Sequence, residues 1–307
     1  MTKISAITKS CLNVLFATLG FAIGSAAPAL ARTHEPQVFR MMPSATAMET
    51  SAGAATSPCI DSNLQYFGGP VLQTANTYAI LWGRKQRSNN IPDDFATALP
   101  LFLEGFGGSS YSYILDQFMP GSVIALGSFD TTTVTDKSAS PGRSPSTRTI
   151  VREVCKYIKK GKLPLDPIDP VNSSGGVYFV FTTNFPRNLG FCGWHDYGTC
   201  QGAPIAVSYV PNTTGVIPGC DPDNSFAANG YSQGTRSILN IVSHELAEAA
   251  TDPDFTGWWD PNDSCEIGDK CAWQFDSTVT LANNSTWEIQ DEWSNSAGAC
   301  VQDQVAP

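Results

Sequence analysis

Val177-Tyr-Phe-Val-Phe-Thr182 is a run in which every residue is β-branched or aromatic. Nothing polar alternates with the apolar positions before Thr182, so the run predicts a strand buried on both faces. A strand covered on both sides needs helices packed on its sheet, and the flanking sequence supplies them. Upstream, residues 150–160 have helical spacing and Gly161 is a natural stop. Downstream, Pro204 to Val210 reads as a strand, and Ser237 to Thr251 places Ile238, Ile241, Leu246 and Ala249 at helical intervals, with Pro253 ending the run.

Further toward the N-terminus, Val71 to Trp82 reads as a strand entered from the turn Gly68-Gly69-Pro70. Asp93-Asp94 precedes a helix through Phe95, Leu99, Phe102 and Leu103 as its cap. Tyr113 to Phe118 suits a short helix and Ser122 to Phe129 a strand. Thr131 to Thr149, rich in Ser, Thr, Pro, Gly and Asp, reads as a surface loop. Alternating helices and strands with no internal repeat predict an α/β fold, a mixed α+β sandwich in one domain over residues 59–307.

The first 31 residues read as a secretory signal peptide. Lys3 and Lys9 form a basic start, Leu12 to Ile23 a short apolar stretch, and Ala29-Leu30-Ala31 a small-residue cleavage pattern. Residues 32–58 lack periodicity and read as a flexible leader, ordered only where something holds it. Beyond the signal stand eight cysteines, an even set that predicts disulfides in an oxidising compartment. The short spacings make Cys192–Cys200 and Cys265–Cys271 the first pairs to expect. No CxxC occurs, which argues against a cysteine zinc site.

The net charge is −10, and losing a signal with two lysines and no acid takes it to −12. Such a chain repels nucleic acid and anionic lipid, so neither is an expected partner, and no membrane segment is expected after signal cleavage. The expected location is extracellular or periplasmic.

The chemistry concentrates in Ser243-His-Glu-Leu-Ala-Glu248. On a helix, His244 and Glu248 project from one face a turn apart and can share a metal ion. Glu245 is near enough to act as general base on a water at that metal, as the Glu of the zinc-peptidase motif HExxH does. Glu248 stands where that motif has its second His, which leaves manganese or calcium open beside zinc. A third ligand is expected downstream. Glu266-Ile-Gly-Asp269, between Cys265 and Cys271, offers Glu266 and Asp269, and Asp254 is a further alternative. His195, in the Gly- and aromatic-rich loop Phe191 to Gly198, is the other histidine of the body and a candidate fourth ligand or transition-state stabiliser. No GxSxG, Walker or dinucleotide fingerprint appears.

Four separated motifs also carry a family resemblance: Gly68-Gly-Pro-Val71 with Ile80-Leu-Trp-Gly83, Cys192-Gly-Trp-His195, Ser243 to Glu248, and Glu266-Ile-Gly-Asp269 with Cys271. In this order, over about residues 64 to 300, they resemble the EXORDIUM (phosphate-induced protein) family. Thr251-Asp-Pro-Asp254 through Trp258, and Asp269 to Trp273, look more like its microbial branch than its plant branch. The resemblance implies export, a single domain and weight on the His244 region, and it names no reaction.

Two functions therefore stand as expectations. The first is a secreted, zincin-like, metal-dependent hydrolase with a peptide or cell-wall substrate. One divalent ion would be held by His244, Glu248 and Glu266 or Asp269, with Glu245 and His195 catalytic. The second is a non-catalytic extracellular binding or signalling protein with a structural metal or hydrogen-bond cluster, in which Trp194, Trp258 and Trp259 stack on sugars or fill core.

Overall fold

Helices and strands alternate along the body of the chain. A computed structural model describes residues 42, 59, 62–83, 91–119, 129–142, 145–184, 190–214, 220 and 229–304. These all fall in one compact unit, Gln37–Pro307. The expected signal peptide, the leader apart from Met42, and the expected strand Ser122–Phe129 apart from its last residue lie outside the described residues. In chain order the elements are β1 (Gln65–Tyr66), β2 (Thr74–Trp82), α1 (Phe95–Phe106), a 3-10 helix (Ser112–Phe118), β3 (Phe129–Asp136), α2 (Thr147–Lys159), β4 (Ser174–Thr182), β5 (Trp194–Cys200), β6 (Ala203–Pro211) and α3 (Gln233–Thr251). After α3 come β7 (Trp258–Trp259), a 3-10 turn (Asp269–Cys271), β8 (Val279–Thr280), β9 (Thr286–Trp287), β10 (Glu292–Ser294) and β11 (Ala299–Val301).

The main sheet has the order β3-β2-β4-β6-β5, so the Val177–Thr182 run occupies its centre. β3, β2, β4 and β6 run parallel, and β5 lies antiparallel on the β6 edge. The pleat of β4 explains the unbroken apolar run. Val177, Phe179 and Phe181 enter the core shared with α1 and α3, whereas Tyr178 and Val180 enter a second core with Ile150, Val154 and Ile158 of α2. The result is a three-layer α/β sandwich.

Two segments read as loops are edge strands. In β3 the threonines alternate with the sheet: Thr133 and Thr135 are exposed, Val134 and Asp136 buried. β-branched Thr is a strand former at a half-exposed edge, which outweighs its frequency in loops. The Phe191–Gly198 stretch forms most of β5, with His195 opposite Ser208. Its glycine is a packing device, since a Cβ at Gly198 would lie 2.5 Å from Val151 Cγ2 of α2.

Helix α3 departs from a one-sided amphipathic helix. Every residue from Gly234 to Thr251 is buried, because the segment after the helix folds back over its polar face. That face is satisfied locally where it can be. Ser237 shares a hydrogen bond with Thr213 at 2.7 Å, Ser243 donates to the Tyr111 hydroxyl at 3.0 Å, and Asn240 accepts from the Gln290 backbone N–H at 2.8 Å. Asp94 does not cap α1 through its side chain. Its carboxylate instead accepts from the Ser232 backbone N–H at 2.6 Å and the Thr235 hydroxyl at 2.5 Å, placing negative charge at the α3 N-terminus.

All eight body cysteines are paired, in a pattern different from the short loops expected: Cys59–Cys265, Cys155–Cys200, Cys192–Cys220 and Cys271–Cys300. Cys200 ends a strand that begins two residues after Cys192. Extended chain at roughly 3.3 Å per residue separates the two well beyond disulfide reach. Cys265 and Cys271 do pin the loop between them, through Cys59 and Cys300 rather than each other. Met42 is fully buried, and its carbonyl accepts the Cys192 N–H at 2.8 Å, so one point of the leader is held against the segment entering β5.

Candidate metal centre

Helix α3 supplies three of the chemical groups. His244 Nε2 lies 3.0 Å from Glu248 Oε1, the one-turn pairing expected from their spacing. The 3-10 turn completes this side: the Asp269 backbone N–H donates to Glu248 Oε1 at 3.1 Å, and Asp269 Oδ1 stands 3.8 Å from His244 Nε2. Gly268 makes this approach feasible, since a Cβ there would lie 2.6 Å from His244 Nδ1. Gln290 Nε2 holds the Gly268 carbonyl at 2.8 Å.

Strand β5 brings His195 to the other oxygen of the same carboxylate. His195 Nδ1 is 3.3 Å from Glu248 Oε2 and 3.5 Å from Glu245 Oε2. Its Nε2 faces away, 3.3 Å from the Asp252 carbonyl and 3.7 Å from Glu266 Oε1. A second glycine permits this packing, because a Cβ at Gly193 would lie 2.5 Å from Ile241 Cγ2 and 3.0 Å from Glu245 Oε1. Phe255, at φ +64°, covers the His195 ring with centroids 5.1 Å apart.

All six residues singled out in the sequence, His195, His244, Glu245, Glu248, Glu266 and Asp269, are thus brought together, and each is buried. Asp254 is not part of the group. It is partly exposed, and its carboxylate accepts from the Thr256 hydroxyl at 2.5 Å. Sequence reasoning missed the surrounding residues. Gly193 lies in Cys192-Gly-Trp-His195 and Gly268 in Glu266-Ile-Gly-Asp269, so their place in these motifs was a usable signal. Tyr111, whose hydroxyl donates to Glu292 Oε1 at 2.9 Å, and Gln290 have no local pattern that marks them.

Burial makes the electrostatics severe. It alone would lower His244, yet the carboxylates of Glu248, Glu245 and Asp269 override it and raise the imidazole to about 10. Burial raises Glu248, but His244 and His195 pull it down to about 2. Glu266 and Asp269 are pushed well above the usual carboxylate range, by burial first, with the nearby Glu248 charge adding to it.

Hydrogen bonding does not resolve this cluster. His195 Nδ1, both His244 nitrogens, both Glu245 oxygens, Glu248 Oε2 and both Glu266 oxygens are buried without a hydrogen-bond partner. The close His244–Glu248 approach therefore has the distance of an ion pair without hydrogen-bond alignment. Unsatisfied buried charges cost several kcal/mol each, on the order of 3–5 when one partner is lost. The donor atoms form two triples, His195–Glu245–Glu248 and His244–Glu248–Asp269, each with all atoms within 4.8 Å of one another. Imidazole nitrogens and carboxylate oxygens at such spacing are a chemically fitting donor set for a divalent cation.

Comparison with known proteins finds distant relatives. Protein EXORDIUM-like 3 of Arabidopsis thaliana is 26% identical across 44% of this chain and 45% of its own length. Protein EXORDIUM-like 5 of the same plant is 24% identical across 68% of this chain and 64% of its own length. The similarity to EXORDIUM proteins is distant. The chain spans 45% and 64% of the length of these two relatives. No protein-family model matches the chain. Among the described residues, no helix is long and apolar enough to cross a membrane.

Proposed function

We propose that this chain is an exported metal-dependent hydrolase of peptide bonds, with a zincin-like helix, whose divalent ion is held by His244, Glu248 and Asp269. The observation that carries the reading is the convergence of buried nitrogen and oxygen donors that no hydrogen bond satisfies. Zinc suits the mixed His and carboxylate set, and manganese or calcium suits its carboxylate share. Bound there, the ion supplies Lewis acidity to polarise a carbonyl and acidify a water.

The chain's own residues do the rest. Glu245, next to His244 on α3 and raised by burial above an ordinary carboxylate, takes the proton of the attacking water. His195, held through Nε2 by the Asp252 carbonyl, presents Nδ1 to the Glu245 and Glu248 carboxylates as a further ligand position. Four disulfides and the EXORDIUM similarity support an extracellular or periplasmic setting. The turn Thr251-Asp-Pro-Asp254 supports membership of the microbial branch. In that setting, cell-wall peptides are the substrates to try first.

One observation favours a second reading, in which the ion is structural within a non-catalytic extracellular module. His195, His244, Glu245, Glu248 and Glu266 are all at most 2% exposed, so substrate reaches the centre only if the structure opens. Variants separate the two. Glu245→Gln should keep the ion at His244 and lower hydrolysis of a peptide library by about 10²–10⁴-fold. His244→Ala should lose that ion and all turnover. Full turnover in Glu245→Gln would refute the hydrolase reading. A metal-loaded wild type that cleaves nothing, beside a His244→Ala protein that unfolds, would establish the structural one.

A further inference from the structure

The carboxylate of Glu248 faces two histidines with two different oxygens, Oε1 toward His244 Nε2 at 3.0 Å and Oε2 toward His195 Nδ1 at 3.3 Å. We propose that the centre holds two divalent cations, bridged by Glu248, one against His244 and Asp269 and the other against His195 and Glu245. This deepens the metal reading above and rests on it.

Three observations support it. The two histidines fall in different donor triples, and Glu248 is the member both triples share. A carboxylate shared in this way is the usual bridge of two-metal hydrolytic sites, where the ions lie about 3.5–4 Å apart. The second position has its own unpartnered buried atoms, His195 Nδ1 and both oxygens of Glu245, which an ion at His244 alone leaves unused.

His195 is oriented for ligation. With Nδ1 toward the second ion, its Nε2–H points at the Asp252 carbonyl at 3.3 Å, the outer hydrogen bond that fixes a ligating histidine. Glu245 then serves as a ligand of the second ion, and its loss removes that ion along with the proton acceptor.

The experiment is metal counting on the full disulfide-bonded chain, stripped with chelator, reloaded with Zn²⁺ alone and passed over chelating resin. Wild type should retain two zinc ions per chain. His195→Ala, His244→Ala and Glu245→Gln should each retain one. Reloading with Mn²⁺ alone gives a readout that needs no variant, a spin-coupled electron paramagnetic resonance spectrum in place of the six-line signal of isolated Mn²⁺. One zinc per wild-type chain with an isolated Mn²⁺ signal overturns the two-ion proposal and leaves the one-ion reading standing. No retained metal in folded wild type overturns both.

Discussion

Two glycines bear the closest scrutiny among single residues, because each fills a space a methyl group cannot share. Gly268→Ala would drive a Cβ to within 2.6 Å of the fully buried His244 ring, so the ring or the turn must shift. The expected outcome is at least a tenfold loss of zinc affinity by competition with a chromophoric chelator, with far-ultraviolet circular dichroism unchanged. Unaltered affinity would mean that the His244 ring is free to move. Asp291 tests the electrostatics outside the cluster. Burial, then the nearby Asp276, raises its carboxyl from 3.8 to about 6. A raised carboxylate pKa means the folded state holds the proton more tightly, so this contribution to stability is complete below pH ~4 and is lost as pH rises through ~6. Asp291→Asn should therefore stabilise the protein by on the order of 1–3 kcal/mol at pH 7–8 and leave it unchanged near pH 3.5, read from denaturant midpoints. At this scale much of the site was legible. A chain with so few histidines gives each one weight, and the i, i+4 spacing of His244 and Glu248 states a shared face. Tyr111 and Gln290 were not legible, because they reach the cluster through packing of segments distant in sequence.

The elements that periodicity described well are those whose surroundings are uniform. β4 is covered on both faces, and its sequence says so. α2 has one buried face, and Gly161, at φ +62°, stops the chain beyond it. The departures occur where an element's environment is set from elsewhere. The apolar spacing of α3 marks one buried side, but the chain from Asp252 onward covers the polar side as well and buries His244, Glu245 and Glu248. β3 and β5 were hidden by Thr and Gly, residues that an edge strand tolerates for packing reasons invisible in a local window. Asp94 illustrates the same point, since it precedes α1 in sequence yet serves the N-terminus of α3 in space. Asp94→Ala should cost about 0.5–2 kcal/mol of stability by loss of this cap, measured by urea unfolding. No measurable cost would show that the carboxylate contributes nothing at this N-terminus.

Across the whole molecule, the disulfides tie the regions that build the centre to the frame that holds it. Cys59–Cys265 joins the start of the body to the loop before Glu266, across 206 residues, and Cys271–Cys300 anchors the other end of that loop. Replacing both Cys59 and Cys265 with Ser should lower stability by about 2–5 kcal/mol and weaken zinc binding with it, because the Glu266–Asp269 segment loses an anchor. Lower stability with unchanged zinc affinity would separate the loop's attachment from the centre. The presence of a cation among these buried groups can be seen outright by anomalous diffraction at the zinc edge from crystals of the zinc-loaded protein. A peak about 2.0–2.2 Å from His244 Nε2 and from a Glu248 oxygen is the predicted result. A map with no peak there, and the His244 ring still 3.0 Å from Glu248 in direct contact, would contradict it.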